Sequence, residues 1–71
     1  MGDDKTFKIN QTVYTANNKT WRVDKWTYLG EFRATKEVIC SLIDEHKKSM
    51  FIPKRCVFST EAEAENVLKI F

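Results

Sequence analysis

Few residues in this sequence have catalytic chemistry to offer. His46 is the single histidine among 71 residues and stands beside Asp44 and Glu45. A general base needs a nucleophile and an orienting partner, and none lies at a useful spacing from it. One imidazole with carboxylates is a poor metal site, so His46 reads as a solvated turn residue. Cys40 and Cys56 lie sixteen positions apart with no further cysteine to complete a ligand set, which fits no zinc spacing. With two glycines in the whole chain there is no phosphate-cradling loop, and HExxH, GxSxG and CxxC patterns are absent. The expectation is a non-enzymatic protein with no catalytic, metal or cofactor residues. Both cysteines are read as reduced core hydrophobes rather than as a disulfide.

Binding chemistry is better represented. Trp26 and Tyr28 share strand parity with Arg22 and Asp24, whereas Trp21 and Val23 have the opposite parity. If the parity of Trp21 points inward throughout, then Arg22, Trp26 and Tyr28 form an exposed aromatic-basic surface suited to a protein hot spot or to stacked bases. If a bulge resets the parity, the two rings belong to the core. A second candidate is a basic face of Lys36, Lys47, Lys48, Lys54 and Arg55, joined by Arg22 and Arg33 if the loop Asp44 to Ser49 closes a hairpin. Glu37, Asp44 and Glu45 dilute that region, so a solvated face is the competing reading.

Charge supports only a mild version of nucleic-acid binding. Twelve Lys and Arg against ten Asp and Glu give a net charge of +2, short of a strongly basic nucleic-acid domain. The distribution is uneven: Lys5 to Arg55 holds eleven basic and five acidic residues, while Glu61, Glu63 and Glu65 make the C-terminal segment acidic. A basic body carrying an acidic helix can dock on a mixed-charge protein surface or touch phosphate weakly.

The elements that must carry these residues follow from periodicity. Phe7-Lys8-Ile9 and Thr12-Val13-Tyr14-Thr15 alternate at period two around Asn10, which tolerates a left-handed backbone; this predicts a strand with a kink or tight turn. Asn17-Asn18 predicts a hairpin turn, and Thr20 to Leu29 a strand ended by Gly30, its parity switching at a bulge near Lys25. Lys36 to Ile43 is apolar on both faces and predicts a central strand, paired through a polar loop with Met50-Phe51-Ile52 and stopped by Pro53. Lys54 to Phe58 is a short strand or a 3₁₀ turn. Thr60 with Glu63 is a capping box, and Ala64, Val67, Leu68 and Phe71 fall on one helical stripe.

One core is all that 71 residues can hold, and 42% hydrophobic content excludes a wholly disordered chain. The sequence therefore predicts a single mainly β domain over 1–71: a disordered start at 1–5, four to five antiparallel strands in a β-barrel or β-roll over 6–58, and one C-terminal helix over 60–70. Met1-Gly2-Asp3-Asp4-Lys5-Thr6 formally fits an acylation pattern, but a disordered start is the stronger reading of the same letters. No apolar run follows the charged first residues, so no membrane association is expected and the cytoplasm is the assigned compartment.

Two stretches resemble small SH3-like barrel proteins of Gram-positive bacteria and their phages and mobile elements. They are Phe7-Lys8-Ile9-Asn10-Gln11-Thr12-Val13-Tyr14, with Asn10 where the turn glycine is expected, and Ile52-Pro53-Lys54-Arg55-Cys56-Val57-Phe58-Ser59-Thr60-Glu61-Ala62-Glu63-Ala64. The resemblance implies an SH3-like fold and offers no active site to transfer. It makes an inhibitor of a host or defence protein, of anti-CRISPR type, a reading worth stating. The expected function is a protein–protein interaction module with an unknown protein partner, monomeric or a weak homodimer. The alternatives are a small nucleic-acid-binding barrel using its basic face, and a structural or oligomer-forming protein.

Overall fold

β-branched and aromatic residues alternate with polar ones over most of the chain, and the strands form where that alternation is longest. A computed structural model describes residues 6–70; the start at 1–5, most of the acylation pattern and Phe71 of the helical stripe lie outside the described residues. β1 spans Thr12–Asn17, β2 Arg22–Ala34, β3 Glu37–Ile43 and β4 Ser49–Pro53; a 3₁₀ turn over Lys54–Cys56 leads to β5, Val57–Phe58, and α1 runs over Glu61–Ile70. The strands form one antiparallel sheet in the order β4-β3-β2-β1-β5. The protein is mainly β with one C-terminal helix, as the sequence predicts. The Lys54 to Phe58 segment is both a 3₁₀ turn and a strand.

Register decides which side chains are inside. Val13 pairs with Trp26, Thr15 with Val57, Tyr28 with Leu42, and Cys40 with Ile52. Side chains alternate across the sheet, so these residues share one face. Val13, Cys40, Leu42 and Val57 are fully buried there, with Phe7, Trp26 and Tyr28 around them and Ile52 packed against the cluster. α1 packs chiefly on β1, then on β2 and β5, setting Ala64 into the interior. Its start is fixed by Thr60 Oγ1, which accepts from the Glu63 amide at 3.3 Å, while the Glu63 carboxylate accepts from the Ser59 and Thr60 hydroxyls.

Polar groups inside this core are matched. Thr15 is 6% exposed, and its hydroxyl accepts from the Trp26 indole Nε1–H at 2.9 Å. Thr15→Val should leave that N–H without a partner and cost about 1–2 kcal/mol. Chemical denaturation of the single variant and of the double variant with Trp26→Phe checks this: the indole bond is real if the double variant loses less than the two single changes together.

Several boundaries differ from the sequence expectation. Phe7 and Lys8 form no strand, but the expected tight turn is present at Ile9 and Asn10, closed by the Gln11 amide on the Lys8 carbonyl, with Asn10 at φ 74°. Asn10 and Gln11 hydrogen-bond the backbone of Tyr28, which pins the segment to β2. The β1–β2 turn extends through Trp21, which takes φ 56°, so β2 starts at Arg22 and not at Thr20. Asn17 shapes this turn by accepting from the Lys19 amide. β2 does not end at Gly30 but continues to Ala34. Its bulge lies between Tyr28 and Gly30, not near Lys25, and Gly30 adopts φ 142°. Cys40 is in the core, but Cys56 is exposed; the two form no disulfide.

Candidate protein-contact face

Trp26 and Tyr28 are core residues, 9% and 4% exposed. The exposed aromatic-basic surface of Arg22, Trp26 and Tyr28 therefore does not exist; the alternative in which both rings are buried is the observed one. Trp21, whose parity was inward in the first of the two alternatives, is 57% exposed at the β1–β2 turn. Arg22 is exposed at the first position of β2. Its parity does match that of the two rings, but that parity is the inner one.

Tyr28 is instead the root of a polar strut. Its hydroxyl donates to Glu31 at 2.8 Å, and Glu31 in turn bridges to Lys54 at 3.2 Å. Burial, reinforced by the hydrogen bond to Glu31 and its charge, pushes the Tyr28 phenol well above its ordinary value. A phenol raised in the folded state contributes stability that is intact below about pH 10 and is lost as pH climbs toward the folded value. Alkaline unfolding followed by tryptophan fluorescence should show this decline in wild type and a smaller one in Tyr28→Phe.

The basic face is divided. Lys47 and Lys48 belong to the β3–β4 loop, whereas Lys54 and Arg55 follow β4 at its other end. A five-residue strand separates the pairs, about 17 Å at the rise of an antiparallel strand. The hairpin forms as expected, but it holds the two pairs apart. Lys54 pairs with Glu31 and Arg55 with Glu37. Lys36 lies in the β2–β3 turn and shares a shallow cleft with Ala34, Thr35, Glu37, Ile39 and Arg55. The loop carrying Lys47 is organised by Asp44, whose Oδ1 accepts from the His46 and Lys48 amides. His46 is solvent-exposed, 4.0 Å from Glu45. Among the described residues no three of His, Cys, Asp and Glu cluster as metal ligands, and no helix is long and apolar enough to cross a membrane.

An exposed apolar feature lies on the opposite face of β2, β3 and β4. Two adjacent cross-strand rows carry it: Gly30–Ser41–Phe51 and Phe32–Ile39–Pro53. Residues two apart share a face, so all six point to the same side, away from Cys40 and Leu42. Ser41 and Gly30 are small, and the rings of Phe32 and Phe51 converge across β3, edge to face with centroids 5.7 Å apart. Both remain open to solvent, at 48% and 64% exposure. The turn at Asn10 adds Ile9, whose Cδ1 stands 3.7 Å from the position a Gly30 Cβ would take; Ile9 is itself exposed. Ile39 links this apolar corner to the cleft of Lys36 and Arg55.

No protein-family model, curated protein or solved structure matches the chain. The functional reading therefore rests on surface chemistry.

Sequence reasoning missed Phe32 and Phe51 as contact residues. One signal was present: Ile39 and Ile43 are apolar at the parity opposite to Cys40 and Leu42. Apolar residues on both faces of β3 were read as the mark of a central strand, which it is. In the fold one side is the core and the other the open face.

Proposed function

We propose that this chain is a non-enzymatic protein-interaction module whose contact surface is the Phe32–Phe51 face of β2, β3 and β4. The observation that carries the reading is the pair of solvent-exposed rings held edge to face beside β4 at the end of the sheet. Exposed aromatics set among aliphatic residues and rimmed by Lys36, Glu37 and Arg55 match the anatomy of a protein interface, apolar at the centre and charged at the rim. An SH3-like barrel is the fold we favour. The long β2, kinked at its bulge, is the kind of corner by which small barrels turn. With that fold goes the reading of a phage or mobile-element inhibitor of a host or defence protein in the cytoplasm. That reading rests on the resemblance of two segments of the chain.

Nucleic-acid binding is the weaker reading, because the cations that would serve it are separated along β4 and two of them are paired with carboxylates. The test is capture from a bacterial lysate, with and without nuclease, by wild type, Phe51→Ala and Lys47→Glu with Lys48→Glu. The expected result is a stoichiometric, nuclease-resistant protein bound by wild type and lost in Phe51→Ala, a change at an exposed position that should move stability by less than about 0.5 kcal/mol. Recovery of nuclease-sensitive material alone, lost only in the lysine variant, would overturn the proposal.

A further inference from the structure

The open edge of the sheet narrows the kind of partner. β4 is the outermost strand beyond β3, and among the described residues nothing pairs with its other side. Alternate residues of such a strand direct their N–H and C=O groups outward, which is a template for another strand. Met50 and Phe51 on it are exposed.

Charge decides what can use that template. From Asp44 to Arg55 the chain holds four cations against two carboxylates, with Lys47 and Lys48 before β4 and Lys54 and Arg55 after it. Consider a second copy pairing antiparallel with β4 in the register that stacks Phe51 on its counterpart. Residue numbers facing each other within Ser49–Pro53 then sum to 102, which brings the Lys47-Lys48 loop of each copy toward the Lys54-Arg55 turn of the other. Cations gathered at both ends oppose this register, Lys47 and Lys48 most because Lys54 and Arg55 are paired with Glu31 and Glu37, and Pro53 removes an amide from its end. Flanking lysines and proline are the means by which sheet edges refuse their own kind. The same cations attract an acidic strand, so rejection of self and selection of partner come from one set of residues.

We propose that the β4 edge accepts an extended segment of an acidic protein partner as a sixth strand. The segment would carry carboxylates at the end that lies beside Lys47 and Lys48, and an apolar side chain at its centre laid against Phe51. This rests on the contact-face reading above and names the mode and chemistry of that contact. Backbone pairing supplies affinity, while alternate side chains and end charges supply specificity.

The probe is a synthetic peptide roughly ten residues long, Thr and Val alternating between glutamates at both ends, together with its lysine-ended twin. Each is added at millimolar concentration to the ¹⁵N-labelled protein. Amide hydrogen exchange then reads strand addition directly. The expected result is slowed exchange at alternate residues of Ser49–Ile52 with the acidic peptide. The lysine twin should bind about tenfold more weakly, and Lys47→Glu with Lys48→Glu should abolish the preference. Protection absent from β4, or equal for both peptides, would overturn the proposal. So would protection of β4 that rises with protein concentration alone, since the occupant would then be a second copy. If β4 is untouched while Phe51→Ala still loses its partner, strand addition fails and the contact face stands. If Phe51→Ala captures like wild type, the face itself fails.

Discussion

Trp26→Ala should unfold the protein rather than disarm a binding surface. Removing a buried indole costs about 3–5 kcal/mol through lost transfer energy and the cavity left behind. A domain of this length has in total roughly 4–11 kcal/mol of stability. The indole packs opposite Val13 in the β1–β2 ladder, and its N–H satisfies Thr15, so the variant also leaves a buried hydroxyl without its donor. Far-ultraviolet circular dichroism during urea denaturation should show a midpoint moved far toward zero, or no cooperative transition. A variant that keeps the wild-type midpoint and loses only partner binding would place Trp26 on the surface, contrary to the structure. For the same reason Trp26→Ala is unsuitable as an interface probe. Phe51→Ala, which removes a ring 64% exposed, is the appropriate one.

Gly30→Val should be the most damaging change outside the core. Gly30 holds φ 142°, a region in which a side chain is strained whatever the space around it. β-branched valine tolerates it least, and the expected cost is about 3 kcal/mol. Space is not the difficulty: a Cβ there would meet only Ile9 Cδ1, at ordinary van der Waals distance. The damage is to register. Leu29 is the extra residue that lets Tyr28 pair with Leu42 and Gly30 with Ser41. Losing the bulge would shift every later residue of β2 to the other face, carrying Phe32 inward and Glu31 outward. Thermal denaturation should therefore show a loss near 3 kcal/mol, accompanied by a changed environment at Tyr28 and Phe32. A stable variant with unchanged spectra would mean that the conformation at Gly30 is not required.

These two positions show why the fold was more legible than the site. Strand existence, the β3–β4 hairpin and the capped helix are local patterns, and Thr60, Glu63, Ala64 and the Val38–Cys40–Leu42 alternation announce them. Asn10 at positive φ follows from its residue type in the same way. Parity in β2 was not local. Trp21 served as the reference for the inner face, yet it lies in a turn at positive φ, and Trp26 defines the interior. The apparent switch near Lys25 came from counting Trp21, a turn residue, as a strand residue and from Val23, a half-buried β2 residue of the outer parity. The real bulge was marked by Gly30, but a glycine ending a strand and a glycine kinking one read alike without the partner strand. Phe32 and Phe51 are nineteen residues apart, and only the registers of β2 on β3 and of β3 on β4 bring their rings together.

The basic residues illustrate the converse error. Closure of the Asp44 to Ser49 loop into a hairpin was expected to bring Lys47-Lys48 and Lys54-Arg55 together, but both pairs flank the same strand of that hairpin. The five-residue strand between them holds them at opposite ends, and Glu31 and Glu37 then claim the second pair. Charge along β4 therefore acts on whatever lies along that edge and not as one concentrated patch.

The central claim is that one face of the sheet is core and the other, at Phe32 and Phe51, meets a protein. Site-specific photo-crosslinking tests it most directly, with a benzophenone amino acid replacing either Phe51 or Trp21, two exposed aromatics at different places on the surface. The predicted result is a discrete, nuclease-resistant protein adduct from position 51 and none from position 21. An adduct from position 21 alone, or none from position 51 while the wild-type protein still captures a partner, would contradict it.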